Sequence, residues 1–309
     1  MISLINCMAT KLVISLLTLG LITCTLYLSL IPLVTTTASQ PESTSEETPE
    51  STTEIRIAEI NALAASNPNQ AIAAMKEFIK IEPSLMKQCH ELAHEIGHIA
   101  YGNFGETAFT YKDPFCGAGY LHGLLEAATI FNESSSLKEI VHTVCSDEIE
   151  EACLHGLGHA IYKSVHDIPT AIAYCDKVRT KNKDCYDGIY MELFDTETDS
   201  AKIPPPEALS FCAGAPSYTK SSCVFYLPRV LKNASPVSMV AFCTTLASQT
   251  DRDICAEGSG VALMKYATTF VLETVTAECT YYTDETMEKA CVKGAQHYFS
   301  YGNVTNNEW

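Results

Sequence analysis

Cysteines recur along this chain at regular intervals, and this spacing restricts the possible fold more than any other feature. Of 14 cysteines, Cys7 and Cys24 lie near the N-terminus and twelve remain. An even number of cysteines in an extracytoplasmic protein predicts disulfides. The spacing predicts five short-range pairs and one wider pair, namely Cys145 with Cys153, Cys175 with Cys185, Cys212 with Cys223, Cys243 with Cys255, Cys279 with Cys291, and Cys89 with Cys116.

The second cysteine of each pair opens a similar phrase, as in "CGAGYLHGLLEA" and "CLHGLGHAIY", at intervals of 37, 32, 38, 32 and 36 residues. Apolar residues follow it at helical spacing, and a shorter helix-like run precedes the first cysteine of the short pairs. Intervals of this size are typical of helical-hairpin repeats. The sequence therefore predicts an all-α array of disulfide-stapled hairpins, either an α-solenoid or a compact toroid.

A glycine stands three residues after the second cysteine in five of the six phrases, Tyr226 being the exception. Glycine destabilises a helix interior. Its recurrence therefore predicts a position where the backbone of a neighbouring helix comes close.

This arrangement resembles the disulfide-stapled α/α repeats of the cysteine-rich Sel1-like family. The resemblance covers residues 84 to 302 and concerns architecture only. It implies helix pairs that are each tied by a cystine, in an array that serves mainly in interactions, and it implies no catalytic residue.

The N-terminal part is predicted to anchor the protein in a membrane. Residues 12 to 34 contain no charge, and at about 1.5 Å per residue they could cross a bilayer core of about 30 Å. Lys11 precedes this segment and acidic residues follow it, so the bulk of the chain is expected outside the cytoplasm of the cell. A cleaved signal peptide is the alternative. Residues 35 to 54 are rich in Ser, Thr, Pro and Glu and predict a disordered linker, leaving 55 to 309 as the extracytoplasmic domain.

Six of the nine histidines fall in three consecutive repeats, namely His90, His94, His98, His122, His155 and His159. Residues four apart share one face of a helix, and equivalent places on stacked repeats line up. The pattern predicts a transition-metal site, with zinc the first choice and copper or iron as alternatives. Glu126, four residues after His122, and Glu192, one residue after Met191, are possible further ligands. The competing interpretations are structural histidines at tight helix crossings and another kind of polar pocket.

The stretch "HELAHEIGH", residues 90 to 98, contains two overlapping HExxH patterns and locally resembles the zinc helix of the zincin metallopeptidases. That resemblance implies two histidine ligands one turn apart and a glutamate as general base. Glu95 or Glu91 would be the base, and His122, His155 or His159 would be the third ligand. A zinc-dependent hydrolase is therefore the second functional hypothesis, and a metal-free interaction scaffold is the third.

The formal net charge of −17 argues against nucleic acid as a partner, because phosphates would be repelled. The sequence has no phosphate loop or dinucleotide fingerprint and no CxxCH motif, so neither a nucleotide nor covalently attached haem is expected. We predict a membrane-anchored, extracytoplasmic α-repeat protein that binds a metal ion and interacts with another extracytoplasmic protein.

Overall fold

The computed structural model describes residues 52–131, 145, 150–178, 181–195 and 205–302. These residues form thirteen α-helices and no β-strand, which confirms the all-α prediction for this part of the chain. The predicted membrane segment, residues 12 to 34, lies outside the described residues. Within them, none of the helices has the length and apolar character needed to span a bilayer.

The helices have the following bounds: α1 Thr52–Ala64, α2 Pro68–Ile81, α3 Cys89–Phe104, α4 Phe115–Phe131, α5 Glu150–Val165, α6 Ile168–Val178, α7 Lys183–Asp195, α8 Pro205–Gly214, α9 Lys220–Tyr226, α10 Pro236–Thr244, α11 Gln249–Tyr266, α12 Leu272–Glu278 and α13 Glu285–Gly302. Short 3-10 turns, such as Leu227–Leu231 after α9, extend or connect several of them. Helix α1 begins slightly before the predicted domain start at residue 55. Glu54 lies in its first turn, where a carboxylate interacts favourably with the positive end of the helix dipole.

All six predicted cysteine pairs are disulfides in the structure, with Cα–Cα distances between 5.3 and 5.9 Å. Three of the short-range pairs join consecutive helices directly: α6 to α7, α8 to α9 and α10 to α11. The wider pair, Cys89–Cys116, joins the start of α3 to the start of α4. The disulfide-stapled hairpin is therefore the repeating unit.

Seven helices pack side by side in the order α3, α4, α5, α7, α9, α11 and α13, and each carries a cysteine near its N-terminal end. The recurrent glycines lie where these helices meet. A Cβ atom at Gly258 would overlap the carbonyl oxygen of Phe225 on α9, and one at Gly188 would overlap that of His155 on α5. These contacts confirm the prediction that a neighbouring backbone comes close at the repeated glycine.

The array closes on itself. Helix α13 contacts α4, and Nζ of Lys265 on α11 lies 3.3 Å from a carboxylate oxygen of Glu91 on α3. Lys87, just before α3, donates a hydrogen bond to the carbonyl of Ala267, just after α11. Of the two predicted architectures, the contacts therefore match the compact toroid rather than the open solenoid. Hairpin periodicity alone cannot distinguish them, because both use the same repeating unit.

The seven ring helices surround a cavity of about 510 Å³. Its lining comes from all seven of these helices and includes His90, His122, His155, Arg229 and Lys265. Residues of all seven ring helices thus face a common interior space, and the histidine-rich repeats form one part of its wall.

A histidine cluster as candidate metal centre

The structure brings the six histidines of the first three repeats into one cluster. His90, His94 and His98 form a stripe on α3, His122 lies on α4, and His155 and His159 lie on α5. Ring centroids are 4.7 Å apart for His90 and His94, 5.4 Å for His94 and His122, and 4.8 Å for His155 and His159. Equivalent repeat positions therefore align as expected from stacking.

Three of these imidazoles each have one nitrogen engaged with an acceptor. Nδ1 of His90 lies 2.7 Å from the carbonyl oxygen of Cys116, and Nε2 of His122 lies 2.9 Å from that of Ala152. Nδ1 of His94 makes a longer contact, 3.5 Å, with Oε1 of Glu126. Because a carbonyl oxygen only accepts hydrogen bonds, the engaged nitrogens of His90 and His122 carry the proton.

The opposite nitrogens of the same rings are buried and have no hydrogen-bond partner among the described residues. They are Nε2 of His90, Nε2 of His94 and Nδ1 of His122. One potential ligand atom from each ring lies within 4.8 Å of the others. Burial lowers the pKa of His90 and His122 to about 3 and that of His94 to about 4, so all three rings are neutral at pH 7. The cluster therefore contains three neutral imidazoles that each have an unused lone pair.

A left-handed turn at the start of α4 accompanies the hydrogen bond to His90. Cys116, Gly117 and Ala118 have φ angles of 55°, 63° and 57°. This conformation is costly for residues with a Cβ atom. Within this turn the carbonyl oxygen of Cys116 accepts the hydrogen bond from Nδ1 of His90. No residue pattern in the sequence signals this local inversion, because the other phrases of the repeat have the same cysteine in an ordinary helix.

Glu126 lies under the histidines as a buried carboxylate. His98 donates from Nε2 to its Oε2 at 2.9 Å, and Nζ of Lys163 lies 2.9 Å from the same oxygen. Burial would raise the pKa of Glu126, but contacts with His94, His98 and Lys163 outweigh it and lower that pKa below its usual value. Glu126 is thus ionised and places a negative charge beside the three imidazoles.

Lys163 also belongs to this site, although the residue patterns did not predict it. Its ammonium group lies 3.8 Å from Oε2 of Glu192, as well as next to Glu126. Two further groups of side chains have metal-ligand spacing, one of His94, His98 and Glu126 and one of Glu126, His159 and Glu192. Both groups include Glu126, which already contacts Lys163. An ion bound in either group would therefore compete with the ammonium group of Lys163 for the Glu126 carboxylate. Lys163 follows His159 by four residues, and this spacing on α5 could have identified it.

The two glutamates of the HExxH patterns do not lie inside the cluster. Glu95 is exposed, and the half-exposed Glu91 pairs with Lys265 where the ring closes. No strand that could hold a peptide substrate occurs among the described residues. The hydrolase hypothesis stays a prediction that this geometry does not favour.

Comparison with known proteins gives no family assignment, since no protein-family model, no curated protein and no solved structure matches the chain. The likeness to Sel1-like repeats is therefore one of architecture, and that to zincins is limited to residues 90 to 98.

Proposed function

We propose that this protein binds a divalent transition-metal ion, zinc first, through Nε2 of His90, Nε2 of His94 and Nδ1 of His122. The observation that supports this most strongly is the state of the six nitrogens of these rings. In each ring, one nitrogen faces a carbonyl or carboxylate oxygen, and the other nitrogen is buried without a hydrogen-bond partner. Histidine ligands in metalloproteins typically donate their second N–H in this way, which fixes the tautomer.

Energetic considerations favour the same assignment. A buried polar atom without a partner costs about 1–3 kcal/mol, and three of them converge here. A bound ion would use all three lone pairs at once, at about 2.0–2.1 Å if the metal is zinc. Glu126 would offset part of the positive charge of the ion. His90 and His122 both line the cavity, so a fourth coordination position would open toward it.

The proposed ion would join α3 to α4, two helices that are already cross-linked by Cys89–Cys116. A ligand that binds only the folded protein stabilises it, by about 4 kcal/mol at a concentration 1,000 times its Kd. In our proposal the metal keeps this side of the ring rigid for interaction or assembly with another extracytoplasmic protein.

The test uses the full chain, purified without a His tag and stripped of metal with a chelator. Elemental analysis after reloading is expected to give about one zinc per chain, and Co²⁺ should give the visible absorption of a histidine-bound ion. His122→Gln should abolish binding. His297→Gln is the matched control, because His297 has the same place in the last repeat, six residues after Cys291. Equal binding by both variants would refute this site and place the ion elsewhere. No binding by the wild type would also refute the site and leave a metal-free scaffold.

We also propose that residues 12 to 34 anchor the protein with residues 55 to 309 outside the cytoplasm. The six disulfides support this location, because such bonds persist in oxidising compartments. An impermeant protease added to intact cells should digest the domain. Protection of the domain until the membrane is opened would contradict the proposal.

A further inference from the structure

A second group of donor atoms lies next to the three-histidine site and includes a thioether. Nε2 of His155 lies 3.3 Å from Sδ of Met191 and 3.1 Å from Nε2 of His159. His155 and His159 are one turn apart on α5, and Met191 lies on α7, the next helix of the ring. Met191 has the repeat position, six residues after the cysteine, that histidine has in the two preceding repeats.

His159 is oriented as a ligand by a carboxylate on its other side. Its Nδ1 lies 3.0 Å from Oε2 of Glu192, and when Glu192 is ionised its carboxylate oxygen accepts the proton of that nitrogen. Nε2 of His159 therefore carries a lone pair. In the absence of an ion, His155 donates its Nε2 proton toward this lone pair. An ion that binds here would displace that proton, as metal binding by histidine commonly does.

The two separations measured from Nε2 of His155 suit one small ion. Two donor atoms held by the same ion at about 2.0–2.3 Å lie roughly 3.4–3.7 Å apart. The observed separations of 3.1 and 3.3 Å need to widen by only a few tenths of an ångström. The helices that carry the donors are in direct backbone contact, because a Cβ atom at Gly188 of α7 would overlap the carbonyl oxygen of His155. The donors are thus held on two rigid, closely packed helices.

The chemistry of the donors selects the kind of ion. A thioether is a soft ligand and favours Cu(I), whereas imidazole alone accepts zinc, copper, iron or nickel. Every cysteine of residues 55 to 309 is in a disulfide, so no thiolate of this domain competes for the ion. His155 and Met191 line the cavity together with the cations of Lys183 and Arg229. These cations would repel a monovalent ion less than a divalent one.

We propose that Nε2 of His155, Nε2 of His159 and Sδ of Met191 form a second site, selective for Cu(I), beside the three-histidine site for a divalent ion. This inference does not rest on the proposed function, because the two sites share no ligand. The cavity gives an ion a route to both.

The test is a competition between the full chain and bicinchoninic acid, a chromophoric Cu(I) chelator, under anaerobic conditions. Met191→Leu keeps the side-chain volume and removes the sulfur, and it should weaken Cu(I) binding by about tenfold or more. Met264→Leu is the matched control, since Met264 is fully buried on α11, and it should bind Cu(I) as the wild type does. X-ray absorption of the Cu(I)-loaded wild type should show a sulfur neighbour and needs no variant.

The outcomes separate this inference from the proposed function. Unchanged Cu(I) affinity in Met191→Leu, or a copper spectrum without sulfur, overturns the second site even if His122→Gln abolishes Co²⁺ binding. Cu(I) binding that depends on Met191, in a protein that binds no Co²⁺, supports the second site and refutes the first. Met191→Leu should also retain Co²⁺ binding, and loss of both ions from this variant would contradict two separate sites.

Discussion

Nδ1 of His90 lies 2.7 Å from the carbonyl oxygen of Cys116, and Cys116 is cross-linked to Cys89, the residue directly before His90. One disulfide therefore fixes the distance between a proposed metal ligand and the acceptor that orients it. If the proposed site binds a metal, its affinity should depend on a covalent bond that does not itself touch the metal.

We predict that the double substitution Cys89→Ala/Cys116→Ala lowers zinc affinity by about 10–100-fold, the usual effect of losing an orienting contact behind a ligand. Isothermal titration of the metal-free protein with zinc measures this. Cys279→Ala/Cys291→Ala is the control, because it removes a disulfide from the last repeat. Similar losses in both variants would show that the effect is general destabilisation.

The repeated glycine should be essential for packing. We expect Gly258→Ala to lower the free energy of unfolding by about 1–3 kcal/mol, because the new methyl group would overlap the carbonyl oxygen of Phe225. Gly102, on α3, has no atom within 4 Å of an added Cβ. Gly102→Ala should therefore raise the free energy of unfolding by about 0.5–1 kcal/mol. Urea denaturation of both variants tests the prediction, and equal effects would contradict the close-contact explanation.

Asp195 balances two cations, the buried Arg229 and the partly buried Lys265. It accepts hydrogen bonds from Arg229, from Tyr266 and, at 2.7 Å, from Lys265. Asp195→Asn would leave the guanidinium of Arg229 buried without a counter-charge, so we expect a loss of about 3–5 kcal/mol in the free energy of unfolding.

The control for this prediction is Glu285→Gln, which removes an exposed ion pair with Lys289. Such a pair contributes at most about 1 kcal/mol. Thermal denaturation of both variants in the same buffer gives the comparison. A small effect of Asp195→Asn would mean that water or another anion reaches Arg229.

Acid should destabilise the metal-free protein well before most of its carboxylates are protonated. The folded-state pKa values of His90, His94 and His122 are lowered by burial to about 3, 4 and 3. Below the ordinary histidine pKa of about 6.5, the unfolded chain binds protons that the folded chain does not. Stability is therefore lost as pH falls from about 6.5 toward 4, by about 1.4 kcal/mol per pH unit for each such group.

Glu192 has the opposite effect, because burial raises its pKa to about 7 and the folded chain then binds the extra proton. Burial also raises the pKa of Asp187 and Glu278, but it lowers the pKa of His155, His159 and His297 as well. The groups that lose stability in acid therefore outnumber those that gain it. Denaturant midpoints of chelator-treated protein at pH 7, 6 and 5 check this. A midpoint that stays constant or rises over that range would contradict the neutral state of the three histidines.

The cysteine pattern identified the hairpin unit and all six disulfides, because covalent pairing and helix length both act over short stretches of sequence. Residue patterns also identified the six histidines and Glu126 as one group, since equivalent repeat positions align in a stack. The ring closure could not be predicted. It depends on the small rotation between successive units, which adds up over the whole array and brings Lys265 to Glu91.

Two features of the site were also hidden in the sequence for physical reasons. The left-handed turn at Cys116 to Ala118 includes two residues, Cys116 and Ala118, whose Cβ atoms disfavour that conformation. Met191 reads as an apolar core residue, and its sulfur becomes a candidate ligand only because α5 and α7 pack backbone to backbone. The HExxH pattern, in contrast, is visible in the sequence, but only part of it joins the cluster. Its histidines face the cluster and its glutamates do not.

Closure of the ring fixes how many hairpins the protein can have. An open solenoid gains or loses a unit with little effect elsewhere, because each unit contacts only its neighbours. Here an inserted hairpin would separate two units that are already joined, break the contact of Lys265 with Glu91 and widen the cavity. Repeat proteins usually change length in evolution by duplication or deletion of a single repeat. In this protein such a change would disrupt the closed ring.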